Sequence, residues 1–360
     1  MRSSFFSGRV VDDSQKSRYH HTGRCRELRK DDRLRLSVAM CTRDGARFLA
    51  QQLNTIATQS RLPDELIVCD DRSTDNCAAL VETFAETAPF ETCLYRNERI
   101  LGVARNFEQA VGRCTGDVIF LADQDDVWKR DKLALIEASF LDAPDVMGVF
   151  TDGDIIDENG CPRGFRLWQT VRFTKDEQRA VLGGKALEVV LRHSVATGAT
   201  MAFRGCLRGS LLPIPPAWLH DDWVSLIIAA MGGLTVITEP LVDYRTHRGQ
   251  SVGVPNRPLR QRLGGIASYN RRLYRECATR YRLALGRIQT IPDQIRDETV
   301  VGRLEQKISH FEARAAMPRG FSQRFTRVSI ELIALRYRRY SLGLGSAARD
   351  LVYGGRENDD

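Results

Sequence analysis

An α/β fold with a mostly parallel sheet is what residues 34 to 133 predict, and two observations carry that expectation. Four short β-prone runs alternate with three amphipathic helical segments, the pattern of strands joined by helical crossovers. The runs are also apolar along nearly their whole length, as strands covered on both faces must be. Sheets of this kind bind ligands beyond the carboxyl ends of their strands. Three of the runs end there in polar clusters: Thr42-Arg43-Asp44, Asp70-Asp71-Arg72-Ser73 and Asp123-Gln124-Asp125-Asp126. The clusters are therefore expected to share one crevice.

Taken in order, LRLSVAMCT (34–42) reads as the first strand. ARFLAQQLNTIATQS (46–60) follows as a helix with Phe48, Leu49, Leu53 and Ile56 as its apolar positions. ELIVCDD (65–71) is the second strand, leading through a Ser-Thr-Asp turn to a helix around NCAALVETFAE. FETCLYRN (90–97), a helix in VARNFEQAVGRC and DVIFLAD (117–123) complete the pattern. Asp126 is expected to cap a helix that begins near Trp128 and runs to about Asp142. VMGVFTDGDIIDENG then reads as strand and turn, and TGATMAF (197–203), the apolar run from Trp223 and LVDYRTH (241–247) mix helix and strand. Beyond Pro258 the composition turns Arg-rich and helical. The expected division is a disordered basic leader (1–34), an α/β domain (35–257) and a helical, basic C-terminal extension (258–360).

Charge follows the same division. Residues 1–35 hold 10 Lys and Arg against 5 Asp and Glu, residues 257–360 hold 21 against 11, and the stretch between holds 22 against 30. An acidic middle argues against nucleic acid as a partner, whereas basic flanks suit a solvated surface or anionic lipid. Nine cysteines show no CxxC pair or zinc spacing, and several sit in apolar runs as small core residues, which fits a reducing cytosol. The first twenty residues lack the apolar core of a secretory signal, and no apolar run reaches 18 residues. The chain reads as cytoplasmic, soluble or peripheral on a membrane.

The chemistry is concentrated in a few motifs. Asp123-Gln124-Asp125 is a DxD directly after an apolar strand, a donor set for a hard divalent cation such as Mg²⁺ or Mn²⁺ that is shared with phosphate oxygens. Such a cation would relieve the repulsion of clustered carboxylates. Gly102, Arg105 and Asn106 stand where a helix begins, and free N–H groups and an arginine there can hold phosphate. HDDW (220–223) offers a carboxylate for general-base work and equally a helix N-terminus of favourable charge. Asp75 reads as a turn or cap residue.

SVAMCTRDGARFLAQQLNTIATQS, the LIVCDDRSTD strand end, RNERILGVARNFEQAV and GDVIFLADQDDVW, in that order, resemble the inverting family 2 glycosyltransferases of the GT-A fold. DQDDVW, HDDW and YRTHRGQSVG (244–253) resemble, more narrowly, bacterial rhamnosyltransferases. The resemblance covers about residues 35–255. It implies a Rossmann-like nucleotide-binding sheet with Thr42 and Asp44 lining the nucleotide pocket and Asp71 accepting from the base, an imide N–H of uracil or thymine. It further implies Asp125 and His247 as metal ligands, Asp123 at the ribose or the metal, and Asp221 as the base, with Asp222 as runner-up. Where the family usually carries Gly in the turn after the second strand, this chain has Arg72.

The implied activity is metal-dependent inverting transfer of a sugar, dTDP-L-rhamnose or another dTDP- or UDP-sugar being the donor, to a lipid-linked or surface glycan. A nucleotidyltransferase is the enzymatic alternative, but CTRDGARF is not the Gly-rich loop that one requires. A non-catalytic sugar-nucleotide scaffold on a membrane is the other. No GxGxxG follows the first strand, which argues against a nicotinamide enzyme. In the C-terminal extension, Phe325, Val328, Leu332 and Leu335 recur at helical spacing among arginines. This pattern suits packing on the domain or a second subunit, or an interfacial helix on the cytoplasmic face of the inner membrane.

Overall fold

The computed structural model describes residues 33–247, 271–292 and 299–353. The leader, the boundary near 257 and the end of YRTHRGQSVG fall outside these residues. The N-terminal half runs β1 (Leu36–Thr42), α1 (Ala46–Ala57), β2 (Glu65–Asp70), α2 (Cys77–Thr87), β3 (Glu91–Arg96), α3 (Val103–Arg113) and β4 (Val118–Asp123). It continues with β5 (Val127–Trp128), α4 (Lys132–Asp142), β6 (Gly148–Ile156), β7 (Pro162–Arg166) and the short helices α5 (Leu167–Thr170), α6 (Lys175–Leu182) and α7 (Ala186–Val190). Then come β8 (Met201–Arg204), α8 (Arg208–Leu211), α9 (His220–Ala230) and β9 (Leu234–Arg245).

These nine strands form one sheet in the order β3-β2-β1-β4-β8-β6-β9-β5, with β7 paired to β6. The first four are all parallel, as their apolar runs predict, and the later ones add antiparallel pairings of β8 with β4 and β6, and of β5 with β9. The order reverses between β1 and β4, which opens a crevice at their carboxyl ends. Register decides what meets there. Cys41 is level with both Cys69 and Asp123, and Thr42 with Asp70, so three strand ends deliver their polar residues side by side.

Alternation along the strands divides the core between two faces. Val38, Met40, Val68 and Phe120 meet α1, α2 and α4 through Leu49, Leu53, Val81, Leu133 and Ile136. Ala39, Ile67, Ile119 and Leu121 meet α3 and α9 through Phe107, Val111, Trp223 and Ile227. The same second core takes in Ala284 and Ile288 of α10 (Arg271–Gln289) and Val300 and Leu304 of α11 (Thr299–Ala315). The C-terminal helices thus share buried surface with the sheet. With α12 (Phe321–Ile333), α13 (Arg336–Tyr340) and α14 (Leu344–Tyr353) they also build a core of their own around Tyr274, Phe311, Val328 and Tyr337.

Two expectations are corrected. Asp126 caps no helix: it is buried and accepts from the Arg245 N–H at 3.0 Å, which draws Val127–Trp128 into a short antiparallel pairing with β9 and delays the helix to Lys132. Cys206 is disulfide-bonded, a pairing that the cysteine spacing does not signal, while seven other cysteines among the described residues are free thiols.

Candidate active site

The turn after β2 is held by its own carboxylates. Asp70 accepts from Thr42 Oγ1 at 2.8 Å and from the Ser73 N–H at 2.9 Å. Asp71 accepts from the backbone N–H groups of Leu101 at 2.7 Å and Gly102 at 2.8 Å and from Asn97 Nδ2 at 2.9 Å, which fixes the loop entering α3. Gly102 has a φ of 82°, a conformation that only glycine adopts without strain. Asp75 takes the Cys77 and Ala46 N–H groups at 3.0 and 2.9 Å, and Asp44 takes that of Thr74 at 2.7 Å. Arg72 sits at φ 60°, so the turn keeps its left-handed residue without a glycine there, and its side chain is exposed. Asn106 is buried, donating to the Cys69 carbonyl at 2.8 Å and accepting from Asn97.

The carboxylates after β4 are placed differently. Gln124 mimics strand pairing, accepting from Arg43 N–H at 2.8 Å and donating to the Arg43 carbonyl at 2.9 Å, and it lies so close over Gly45 that a Cβ there would overlap it. Its neighbours are left to face one another. Burial, then the charges of Asp125 and Asp221, raise the Asp123 carboxyl to about 7. Burial, then the charges of Asp125 and Asp123, push Asp126 well above the carboxylate range, and among the described residues its Oδ2 has no hydrogen-bond partner. The nearby positive charge is Lys132, buried below the cluster with Nζ over the Trp128 ring and donating to the Ala199 carbonyl at 2.6 Å. Burial holds that amine down to about 7 against the pull of Asp126 and Asp123. Arg245 braces the loop from the other side, donating to the Asp125 carbonyl at 2.7 Å and to Gln51 at 2.7 Å.

Asp125 Oδ2 and His247 Nε2 lie 2.8 Å apart. Adjacent oxygen or nitrogen ligands on an octahedral Mg²⁺ at about 2.1 Å stand roughly 3 Å from one another, so this pair fits two neighbouring corners of such a shell. Among the described residues no group of three or more His, Cys, Asp and Glu forms a cage by itself. The donor set therefore fits a cation completed by substrate oxygens and water.

On α9 the structure separates the two aspartates that the sequence leaves in competition. Asp221 accepts from the Gly198 N–H at 3.2 Å and the Asp222 N–H at 2.8 Å and lines the cavity, and burial raises its carboxyl. Asp222 turns to Arg280 of α10, 3.5 Å away. His220 stacks on Phe107 with ring centroids 3.9 Å apart and is held neutral by burial, its imidazole lowered to about 4.

All these walls enclose one cavity of about 640 Å³. Thr42, Asp44, Asp71, Gly102, Asn106, Asp123, Asp125, Asp221 and His247 line it. Arg105 does not: it forms an ion pair with Glu108 at 2.8 Å on the far side of its helix turn. Arg43, Phe48, Glu158, His220 and Tyr244 also line the cavity and were not singled out from the sequence as donor contacts. Arg43 was legible as part of a strand-end cluster. Tyr244 opens the YRTHRGQSVG motif, whereas Glu158 carries no local signal, since the β6–β7 hairpin brings it in only through long-range pairing.

Residues 37–189 match the model of the family described as glycosyl transferase family 2. An uncharacterized glycosyltransferase of Nostoc sp. is 28% identical over 228 residues, 59% of this chain and 65% of its own length. A dTDP-rhamnosyl transferase of Shigella flexneri is 30% identical over 98 residues, 26% of this chain and 34% of its own. Among solved structures, S. aureus TarS 1-349 in complex with UDP-GlcNAc superposes with a TM-score of 0.55 at 15% identity, covering 89% of this chain and 90% of that one, a likeness of fold. Residues 37–189 are thus similar to glycosyl transferase family 2, and the sheet that carries them is of GT-A type.

Proposed function

We propose that the cavity transfers a sugar from a pyrimidine nucleoside diphosphate to an acceptor hydroxyl, with inversion at the anomeric carbon. One observation carries this reading. A single cavity holds both the Asp125–His247 pair, spaced as neighbouring metal ligands, and Asp221, a carboxylate with raised proton affinity. The base and ribose lie against Thr42, Asp44, Asp71 and Asp123, and the diphosphate lies near Arg43 and the amino end of α3, where helix N–H groups lack internal acceptors. A divalent cation, Mg²⁺ or Mn²⁺, held by Asp125 and His247 beside Asp123, supplies positive charge next to the leaving diphosphate.

Asp221 takes the proton of the acceptor hydroxyl as that oxygen's lone pair forms the new bond to the anomeric carbon. The bond from that carbon to the diphosphate oxygen breaks, and its electron pair leaves on the diphosphate. A carboxylate whose proton affinity is raised by enclosure is a stronger base than a solvated one. The donor is dTDP-L-rhamnose, a reading supported by DQDDVW, HDDW and the dTDP-rhamnosyl relative. The acceptor is a lipid-linked or surface glycan, met on the cytoplasmic face of a membrane. No helix among the described residues is long and apolar enough to cross one.

A screen of nucleotide sugars with Mg²⁺ and with Mn²⁺ tests this, read by melting temperature and by release of nucleoside diphosphate. Stabilisation and turnover with a thymidine or uridine sugar and a metal are expected. Preference for a purine nucleotide, or indifference to metal, overturns the reading.

A further inference from the structure

Of the fifteen large apolar side chains exposed among the described residues, eight fall between residues 321 and 352. On α12, Val328 is buried in the C-terminal core and Leu332 packs against it. At 100° per residue Phe325, Ile330 and Ile333 lie on the remaining arc with Ser322, Thr326 and Ser329, and they are 57%, 51% and 83% exposed. Leu335, next in the chain, is exposed as well. The apolar stripe expected from the sequence is therefore two stripes, one spent on the core and one open.

The charge of the segment that carries the open stripe is almost entirely of one sign. Residues 318–349 contain seven arginines and a single acid, Glu331. Glu331 is buried, bonded to His310 Nδ1 at 2.6 Å and paired with Arg336 at 2.9 Å, so it offers the surface nothing. Arg319, Arg327, Arg338 and Arg339 are exposed. Exposed apolar side chains and exposed arginines in one short segment, on helices that are not long and apolar enough to span a bilayer, are the composition of an interfacial anchor. A second copy of the chain is a poor occupant, because a two-fold contact would set this arginine-rich surface against itself.

We propose that this face of α12 seats on an anionic lipid surface, with Phe325, Ile330, Ile333 and Leu335 entering the acyl boundary and the arginines meeting headgroup phosphates. The inference deepens the acceptor half of the proposed function and rests on that reading for its purpose, though not for its test, since vesicle binding requires no sugar transfer. Flotation of the full chain with vesicles of phosphatidylcholine, alone or mixed with phosphatidylglycerol, tests it. The chain is expected to float with the mixed vesicles, and less so as salt is added.

The double variant Phe325→Ser/Ile333→Ser is expected to lower partitioning at least tenfold, by roughly the transfer energy of two apolar side chains. Arg338→Ala and Arg339→Ala are expected to lower it about fivefold each. All four positions are exposed, so an unchanged melting temperature shows that the fold persists. Equal flotation of wild type and the double serine variant overturns the proposal, as does a wild type that floats with neither vesicle. A concentration-dependent dimer abolished by the serine pair also overturns it, in favour of a second copy. A chain that floats but is stabilised by no sugar nucleotide keeps this inference and removes the reading of the cavity.

Discussion

Two acidic clusters stand side by side at the strand ends, and they are satisfied in opposite ways. After β2, Asp70, Asp71 and Asp75 accept from backbone N–H groups of Ser73, Leu101, Gly102, Ala46 and Cys77. After β4, Asp126 has the Arg245 N–H, but it and Asp123 otherwise face each other, Asp125 and a buried lysine, and their proton affinity rises accordingly. The β2 carboxylates are tied into the loops that they brace, whereas the crowded β4 carboxylates gain proton affinity that a bound cation would relieve. Sequence composition does not distinguish the two clusters. Their donors do.

The largest expected break in that comparison is catalytic. Asp221→Asn keeps the side chain's volume and can still accept from Gly198 but cannot take a proton, so transfer should fall about 10²- to 10⁴-fold. Asp125→Asn should abolish metal-dependent turnover. Both variants should melt at or above the wild-type temperature, because each removes a repelling charge. Full turnover by purified Asp221→Asn would remove it as the base.

A pH titration without metal addresses the raised proton affinity of the β4 cluster. Folded Asp123 holds its proton to about 7, against 3.8 for an ordinary aspartate. Below 3.8 both states are protonated and the residue contributes no pH dependence. As pH rises from there the unfolded chain ionises first while the fold keeps its proton, so stability falls, and the fall ends once pH passes about 7. The loss is on the order of 4 kcal/mol at its ceiling. Denaturant unfolding in chelator should show this decline between pH 4 and 7 in wild type and a flatter profile in Asp123→Asn. Equal slopes would show that the β4 cluster is no more strained than the β2 cluster.

Asp71→Ala addresses the opposite side. It strands the N–H groups of Leu101 and Gly102 and the amide of Asn97, and should cost about 3 kcal/mol in denaturant unfolding. An unfolding midpoint close to wild type would mean that these donors find other partners, and the scaffolding role would fail.

How much of this was legible in the sequence follows from the range of each interaction. The four parallel strands and their three helices show in apolar runs and helical spacing, and the shared crevice follows from strands that end in acids. The resemblance ranks Asp221 ahead of Asp222 without a geometric reason, and the approach of Arg280 from a helix some sixty residues later is what turns Asp222 away. Arg245, which bonds Asp125, Gln51 and the β6–β7 hairpin, and Lys132, buried under the acids, look like ordinary surface cations in a string of letters. Their roles are written in long-range register. The same holds for α12, where spacing shows an apolar periodicity but not which stripe the core takes.

The smallest expected effect returns to the β2 turn. Arg72 occupies φ 60°, where a Cβ costs roughly 1–2 kcal/mol relative to glycine, and its side chain neither lines the cavity nor is buried. Glycine recovers that strain but adds freedom to the unfolded chain, which offsets about 0.4–1 kcal/mol. Arg72→Gly should therefore stabilise the protein by about 0.5–1 kcal/mol and leave donor affinity unchanged. If affinity for the sugar nucleotide falls instead, Arg72 reaches the diphosphate when donor is bound, and the turn after β2 is part of the ligand site as well as its scaffold.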